Sequence, residues 1–367
     1  MHLRMDDTNP EKEELSHEHA IVACLNDMGI PWHGDVRYAS DHFVAMHDAA
    51  NMLIREGLAY IDTSDKDTMR TMRGDLYKGG TKSTDFTKPL EWHLDMFARM
   101  TSGAFEDGAM VLRANIDMGS PNINLRDPVL YRIKHMAHAR TKNLWCVYPA
   151  YDYAHPFCDV AEGIALSLCT LEFEDHRPLY DWVCERVRPL YLDRSAHKPI
   201  ELEFSRLEIT KGLTSKRKIN AFVSEGKVDG YDDPRLLTLE ALRRRGFSPN
   251  VIFKFIEDCG VSRNNSEVPF SRLEDTMRLE LDSTATRRIV VLDPVALDID
   301  DFPDSSTDLL INNHPKDLSL GTRSFGLSSK VWIERSDIRL PNTAEKGFKR
   351  IEIGAIVRLM NIGIVEC

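Results

Sequence analysis

The chain has 367 residues, enough for two or three domains, and it carries 42% hydrophobic and 29% charged residues with a formal net charge of −11. No apolar run is long enough to span a membrane, and the first residues, MHLRMDDTNPEKEE, lack the apolar core of a secretory signal. The acidic balance disfavours indiscriminate binding to nucleic acid, although local basic runs occur at residues 216–218 and 243–245. Seven cysteines without a CxxC spacing indicate free thiols in a reducing compartment, so we expect a cytoplasmic protein without a structural zinc site.

The first half of the chain predicts an α/β fold. HLRM predicts a short strand, residues 11–30 a helix with an apolar face, and residues 41–61 a long amphipathic helix followed by a strand. Further on, PLEWHLDMFARMTSG predicts a helix, and AMVLRANI and PVLYRI predict strands. LWCVYPAYDYAHPFCDVAEGIALSLCTLEF then predicts strand, loop, helix and strand. This order is typical of one α/β sheet that is interrupted by an insertion.

The second half of the chain changes character twice. After a strand at IELEFSRL, residues 200–283 are mostly helical, with two helices around the turn GFSP. From RRIVVLDPVALDI onward, short alternating strands are separated by polar loops. That pattern predicts a β-barrel or a β-sandwich module.

Four local clusters carry residues that can do chemistry. The first places Asp6 and Asp7 after a strand, where open α/β sheets bind ligands, although taken in isolation these residues favour an Asx-type turn stopped by proline. The second, VYPAYDYAHPFCDV, crowds three tyrosines, an aspartate and His155 into eight residues. Tyrosine faces suit a small polar ligand, but the same residues also suit a well-packed strand end.

The third and fourth clusters carry polar and cationic groups. In LCTLEFEDHRPLYDWV, Cys169 and Thr170 are expected at a helix end or a strand start, before the polar residues 175–177. Asp, His and Arg can read bases or phosphates, or they can form an ordinary helix start. In GLTSKRKIN, two hydroxyls stand beside three cations after Gly212, which predicts either a solvated loop or a phosphate site.

Together these strings resemble a known family, the class I glutaminyl- and glutamyl-tRNA synthetases, and the glutaminyl branch in particular. The strings that match run in family order through nearly the whole chain: LRMDDTNP, RYASDHF, MRGDLY, LRANIDMGSPNINLRDPVLYRI, CVYPAYDYAHP, EGIALSLCTLEFEDHRPLYDWV, EFSRL, LTSKRKIN and DGYDDPRLLTLEALRRRGF. LTSKR is this chain's form of the KMSKS signature. The resemblance implies a Rossmann-type catalytic domain split by an acceptor-stem-binding insertion, then a helical segment and the start of an anticodon-binding β-barrel.

The resemblance divides the chain at residues 1–40, 41–150, 151–205, 206–283 and 284–367. These ranges are the first part of the catalytic domain, the insertion, the second catalytic part, the KMSKS-type loop with its helical region, and the partial β-barrel. The resemblance implies ATP as a substrate with Mg²⁺, no permanent cofactor or protein-held metal, and L-glutamine and tRNA(Gln) as partners of a monomer. The residues that it implies for ATP are Thr170, Arg206, Leu207, Thr214, Ser215 and Lys216, with Ser215 and Lys216 also catalytic. Those implied for glutamine are Asp6, Tyr151 and Cys169, and those for tRNA are Arg73, Leu76 and Asp175.

Several features of this chain depart from the family. A cysteine at position 169 supplies no cation for a γ-carboxylate, where glutamyl enzymes usually carry arginine, and this favours glutamine. Glu201 stands where glutaminyl enzymes commonly have Gln, and His176 replaces a commoner Asn. No HIGH-type motif occurs in these residues, so we expect the 367-residue chain by itself to show no ATP–pyrophosphate exchange. The alternatives to a glutamine ligase are a glutamate–tRNA ligase and an inactive, truncated paralogue that binds tRNA.

Overall fold

The computed structural model describes residues 1–11, 15–191, 197–302, 307–339 and 350–367. The chain divides into two compact units, residues 1–272 and residues 273–367. No helix among the described residues is both long enough and apolar enough to cross a membrane. The expected mixture of helices and strands is confirmed, and the helices and strands follow one another in the predicted order.

The first unit begins with a very short parallel pairing. Strand β1 (Arg4–Met5) pairs with β2 (Arg37–Tyr38), and helix α1 (Leu15–Asp27) lies between them in sequence. The predicted apolar face of α1 buries no residue, so little apolar area holds this helix in place. Helix α2 (Phe43–Arg55) is different, because six of its side chains are buried, among them Met46 and Leu53.

An antiparallel four-stranded sheet follows. Its strands are β3 (Ala59–Asp62), β4 (Val111–Ala114), β5 (Val129–Ile133) and β6 (Val147–Pro149), hydrogen-bonded in that order. Helices α3 (Lys66–Arg73) and α4 (Leu90–Thr101) lie between β3 and β4 in sequence. The apolar side of the sheet and the helices α2 and α4 contribute to one large core cluster. Asp62 and Arg113 form a buried ion pair across β3 and β4, with 2.7 Å between oxygen and nitrogen.

Two helices and two parallel strands form the part of the first unit that matters most below. Helix α5 (Tyr151–Ala161) packs against α6 (Arg177–Val187), and β7 (Leu166–Thr170) pairs with β8 (Ile200–Phe204). Cys169 and Thr170 therefore lie at the end of a strand, which corrects the expectation of a helix end or a strand start. Among the described residues, β1 with β2 and β7 with β8 form two separate parallel pairs, which corrects the expectation of one continuous α/β sheet.

The rest of the first unit is largely helical, as predicted. Strand β9 (Leu207–Ile209) pairs in parallel with β10 (Ser266–Val268), and between them lie α7 (Lys216–Ser224), α8 (Leu239–Arg244) and α9 (Pro249–Cys259). A small apolar cluster of Ile219, Val228, Leu236 and Ala241 packs this region. The hydroxyls of Thr238 and Ser248 cap α8 and α9 by accepting hydrogen bonds from backbone N–H groups in the first turn of each helix.

The second unit consists mainly of strands, as predicted for this part of the chain. Helix α10 (Phe270–Thr284) leads into it. Its antiparallel pairs are β11 (Pro294–Asp298) with β14 (Lys330–Glu334), β12 (Thr307–Asn312) with β13 (Thr322–Leu327), and β17 (Ile356–Leu359) with β18 (Gly363–Glu366). Strands β15 (Ile338–Arg339) and β16 (Ile351–Glu352) pair in parallel.

Candidate functional site

A small cavity of about 10 Å³ lies beside the N-terminal half of α5. Its lining comes from α5, from the 3-10 turn before α6, from α6 and from β8: Tyr151, Asp152, His155, Pro156, Phe173, His176, Tyr180 and Glu201. A cavity of this size has room for about one water molecule. Side chains must therefore move before an amino acid can enter, and Tyr151, which is 37% exposed, is the lining side chain best placed to do so.

Asp6 is held next to this cavity by two partners. Its carboxylate accepts a hydrogen bond from Arg4 Nε at 2.9 Å and lies 3.3 Å from Nδ1 of His155. Burial alone would raise the pKa of Asp6, but the His155 hydrogen bond and the Arg4 guanidinium outweigh it, so the pKa lies below its ordinary value. Asp6 is thus an anion, and its partly exposed side chain can still receive an ammonium group.

His155 and Tyr151 form a stacked pair on α5. Their ring centroids lie 5.2 Å apart with an interplanar angle of 18°. Burial alone would lower the pKa of His155. The hydrogen bond to Asp6 and the charges of Asp159 and Asp6 outweigh burial, so the pKa lies above its ordinary value. Burial and the negative charges of Asp6 and Glu201 raise the pKa of Tyr151, so its hydroxyl keeps its proton and can act as a donor.

A buried ionic network underlies these residues. Asp159, whose side chain is 1% exposed, accepts hydrogen bonds from Arg4 at 2.8 Å, from Ser167 at 2.5 Å and from Tyr180 at 2.7 Å. Burial alone would lower the pKa of Arg4, but the carboxylates around it outweigh that cost and raise it. The network joins β1, α5, β7 and α6, and it thereby fixes the strand that carries Asp6. Sequence reasoning missed both Arg4 and Asp159, because no motif marks them.

Cys169 and Glu201 lie together on the buried face of β7 and β8. The thiol and the carboxylate oxygens of Glu201 and Glu203 all lie within 4.8 Å of one another. Burial and the charge of Glu201 raise the pKa of Cys169 to about 12, so the thiol is neutral. Burial raises the pKa of Glu201 as well. The pKa of Glu203 is lowered instead, because the Arg177 guanidinium donates to this carboxylate and outweighs the effect of burial.

This trio and a second one could in principle hold a cation. The second consists of Cys158 on α5, Glu162 directly after α5 and His42 directly before α2. Each already holds guanidinium partners on one of its carboxylates, because Arg177 pairs with Glu203 and because Arg4 and Arg37 pair with Glu162. A metal ion would have to displace these guanidinium groups, so neither cluster resembles a prepared metal site.

Thr170 and Arg206 lie close to the cavity along the strands. Thr170 ends β7 opposite Phe204, and Arg206 follows β8. The Arg206 guanidinium donates to Glu172 at 2.6 Å, and Glu172 belongs to the turn that follows Thr170. Leu207 starts β9 and is half-buried. Arg206 is thus tied to the turn that contains Phe173, a residue that lines the cavity.

The residues of the GLTSKRKIN stretch form the start of a helix. Ser215 is the N-cap of α7, and Lys216 is its first residue. Among the described residues, the side chains of Thr214, Ser215 and Lys216 make no hydrogen bond or ion pair, so the structure does not bring them into the network around Asp6. Their donors are free to meet an anion at the helix start.

Gly212 is needed for a different reason from the one that its sequence predicts. Its φ is not in the left-handed region, which corrects the expectation of unusual backbone angles, and the left-handed residue here is Lys211, with a φ of 59°. A Cβ at Gly212 would lie 2.3 Å from Cδ1 of Leu237 and 2.8 Å from the Ile209 carbonyl oxygen. Close packing therefore explains the glycine.

The three residues predicted to bind tRNA lie outside the cavity. Leu76 is 73% exposed at the tip of a loop, and Arg73 donates through Nε and Nη2 to the carbonyl of Ile123. The buried Arg126 donates to the carbonyls of residues 73, 75 and 78, so this loop has a fixed shape. The side chain of Asp175 is exposed, while its carbonyl accepts from Asn122 at 2.6 Å.

The comparisons with known proteins define the family. Residues 1–283 match the family described as tRNA synthetases class I (E and Q), catalytic domain, and residues 285–367 match the family described as tRNA synthetases class I (E and Q), anti-codon binding domain. The chain therefore belongs to the class I tRNA synthetases of the glutamyl and glutaminyl type. The resemblance stated from the sequence is confirmed, and so is the fold class that it implied.

The similar curated proteins are named as glutamine–tRNA ligases. The chain is 47% identical to that of Nitrosomonas europaea and 46% identical to those of Xanthomonas axonopodis pv. citri and Bradyrhizobium diazoefficiens. The alignments cover 99–100% of this chain but 64–65% of those proteins, so the chain spans just under two-thirds of their length. A solved glutamate tRNA ligase from Elizabethkingia meningosepticum shares the fold, with a TM-score of 0.52 and 13% identity over 77% of this chain and 63% of that one.

Proposed function

We propose that these residues serve the ATP-dependent attachment of L-glutamine to tRNA(Gln) through a glutaminyl-adenylate. The observation that carries the proposal is the 46–47% identity, over essentially the whole chain, to proteins named as glutamine–tRNA ligases. The reaction class requires two transfers. The glutamine carboxylate attacks the α-phosphorus of ATP and pyrophosphate leaves, and then a ribose hydroxyl of the tRNA attacks the adenylate and AMP leaves.

For the amino acid, we assign the cavity beside α5. Asp6 is held as an anion by Arg4 and His155 and receives the ammonium group. The Tyr151 hydroxyl, which keeps its proton, donates to the amide oxygen of the side chain. Cys169 remains a neutral thiol and therefore offers no cation to a γ-carboxylate. A glutamate side chain would be desolvated there without a partner, which costs several kcal/mol.

For ATP, we assign the ends of β7 and β8 and the start of α7. Thr170, Arg206 and Leu207 contact the nucleotide, and Thr214, Ser215 and Lys216 contact the phosphates. The free hydroxyls and the ammonium at a helix start are the donors that a departing pyrophosphate needs. The Mg²⁺ that accompanies ATP would be held mainly by phosphate oxygens and water. The cytoplasm is the compartment that this function implies.

For tRNA, we assign residues 41–150 to the acceptor stem and residues 284–367 to the anticodon side. Leu76 acts as an apolar wedge against the first base pair, beside Arg73, and Asp175 contacts the same end of the tRNA. The fixed loop that Arg126 holds is a suitable mount for a wedge, because a flexible loop would lose its order on each binding event.

The test uses non-hydrolysable sulfamoyl analogues of glutaminyl- and glutamyl-adenylate, so that turnover is not needed. Thermal denaturation of the 367-residue chain should shift upward with the glutaminyl analogue more than with the glutamyl analogue. Tyr151→Phe should reduce the shift, whereas Tyr231→Phe, which removes the hydroxyl of an exposed tyrosine, should not. Equal shifts with both analogues, or none with either, would refute the assignment of the cavity to glutamine.

A further inference from the structure

The residue that follows Asp6 is anchored by contacts that lie outside the cavity. Asp7 is only 8% exposed, and both oxygens of its carboxylate have partners. Oδ1 accepts the backbone N–H of Ser40 at 2.8 Å, and Oδ2 accepts the Ser40 hydroxyl at 2.6 Å. Ser40 belongs to the 3-10 turn Ala39–His42, which leads into α2. The Asp7 carboxylate therefore ties the chain after Asp6 to a turn that lies 33 positions further along.

The direction of the Ser40 hydroxyl is defined by Arg140. The Arg140 guanidinium donates to Ser40 Oγ at 2.7 Å, so this oxygen is an acceptor there and its own hydrogen is available for Asp7. Arg140 is held in turn by Asp41 at 2.8 Å and by the ring of Tyr38, whose centroid lies 3.6 Å from the guanidinium carbon. The bond to the Asp7 carboxylate is thus the last in a chain of ordered donors.

A buried histidine holds the backbone of Asp7 as well. His138 is 1% exposed, and its ring packs against the rings of Phe43 and Tyr148. Its Nδ1 accepts the backbone N–H groups of residues 140 and 141, each at 3.2 Å, so this nitrogen carries no proton. Nε2 therefore carries the proton and donates to the carbonyl oxygen of Asp7 at 2.8 Å. Side chain and backbone of Asp7 are fixed by two different segments of the chain.

Little else fixes the chain directly after Asp6. Strand β1 has only two residues, and α1 buries none. The network of Arg4 holds the strand before Asp6, but beyond it the chain turns at once, because the N–H of Thr8 donates to the Asp6 carbonyl at 2.9 Å. Rotation of the backbone here would carry the Asp6 carboxylate away from His155, 3.3 Å distant. The contacts of Asp7 oppose this rotation.

We propose that Asp7 is a positioning residue, which through Ser40 and His138 holds Asp6 in the orientation that meets His155. This inference rests on the proposed function, in which Asp6 receives the ammonium group of the amino acid. It adds to that function a residue that does not line the cavity. A carboxylate that is held in place before the ligand arrives loses less conformational freedom on binding than a mobile one.

Two variants weaken the anchor in different ways. Asp7→Asn keeps the size of the side chain but leaves one acceptor oxygen for the two donors of Ser40, and the bond from His138 to the backbone remains. Ser40→Ala removes the hydroxyl without changing any charge. The matched control is Asp41→Asn, which removes a charge from the same 3-10 turn at a side chain that is 52% exposed.

The first measurement needs no ligand. The pKa of His155 is followed by NMR of ¹³C-labelled histidine between about pH 5 and about pH 9, with His155→Gln identifying its signal. Asp6 contributes to the raised pKa of His155, so this pKa should fall by at least about 0.5 unit in Asp7→Asn. It should fall in Ser40→Ala too, although no charge is lost, and it should stay unchanged in Asp41→Asn. A contact that only stabilises the fold would change the denaturation midpoint but not this pKa.

The second measurement connects the anchor to the ligand. L-glutamine and glutaramate, which is glutamine without its α-ammonium group, are titrated into the 367-residue chain, and ¹³C-labelled tyrosine side chains report binding. The unmodified chain and Asp41→Asn should prefer glutamine. In Asp7→Asn this preference should fall by about threefold or more, because a misplaced Asp6 no longer meets the ammonium group.

The outcomes separate this inference from the function on which it rests. An unchanged pKa of His155 in both Asp7→Asn and Ser40→Ala would overturn the positioning role. An equal fall in Asp41→Asn would overturn it as well, because loss of charge alone would then explain the effect. If the pKa falls as expected but the unmodified chain does not prefer glutamine to glutaramate, Asp7 still positions Asp6, and the assignment of Asp6 to the ammonium group is wrong.

Discussion

Asp159→Asn tests whether the buried network, rather than apolar packing alone, holds the strand with Asp6 in place. The substitution keeps the size of the side chain and removes its charge. The three hydrogen bonds from Arg4, Ser167 and Tyr180 then lose their charged acceptor. Hydrogen bonds to a charged group contribute about 1 kcal/mol more than neutral ones, so the loss should be about 3 kcal/mol. Arg4 keeps Asp6 and Glu162 as partners, and this makes a much larger loss unexpected.

The assay is urea denaturation followed by tryptophan fluorescence, since four of the five tryptophans lie within residues 1–272. The control is Asp152→Asn, which also removes a charge from α5, but at a side chain that is 33% exposed and, among the described residues, bonds to His176. This control should lose less than about 1 kcal/mol. If both variants lose the same amount, the network around Asp159 does not carry the stability that its geometry indicates.

Three further predictions address protonation, tRNA contact and local stability. The pKa of His155 is raised in the folded state, so the stability that its protonation contributes is complete below about pH 6.5 and disappears as the pH rises through the higher folded pKa. Urea midpoints measured against pH should show this loss, and His155→Gln should abolish the pH dependence. Leu76→Ala should weaken binding of the tRNA(Gln) acceptor stem in a filter-binding assay by about three- to tenfold, whereas Leu144→Ala, at an equally exposed leucine, should leave it unchanged. Hydrogen exchange should be at least about 100-fold faster in α1, which buries no residue, than in α5, which buries eight, and equal rates would contradict the burial pattern.

Much of the first unit could be predicted from the sequence, because local pattern and tertiary packing agree there. The apolar spacing of DHFVAMHDAANMLIREG predicts the face that α2 buries, and both Met46 and Leu53 lie on it. Tyr151 and His155 stack as residues four apart on one face of a helix can. These expectations depend only on neighbours in the chain.

The contacts that fix the site could not be predicted in the same way. Arg4 meets Asp159 across 155 positions and His155 across 151, and no local rule indicates such a pairing. The side chain of Lys216 makes no hydrogen bond or ion pair among the described residues, so its role at ATP stays a prediction.

The strands β7 and β8 show how a sequence rule can fail at a site. Alternation in LSLCT and IELEF predicts that the leucines face the core. The structure exposes them instead, with Leu166 53%, Leu168 65% and Leu202 49% exposed, and on β8 it buries Glu201 and Glu203. The rule fails because the buried face carries ionic partners, such as Arg177 for Glu203, that replace apolar packing.

This inverted arrangement costs stability, and the chemistry of the cavity explains why it can persist. Leucines turned inward would bury more apolar area, but they would leave no group that distinguishes an amide from a carboxylate. Burial also raises the pKa values of Cys169 and Glu201. The same groups at the surface would be solvated and would discriminate little between an amide and a carboxylate. Under the proposed function, the buried polar face of β7 and β8 supplies hydrogen-bonding groups without access to water, which selectivity between two nearly isosteric amino acids requires.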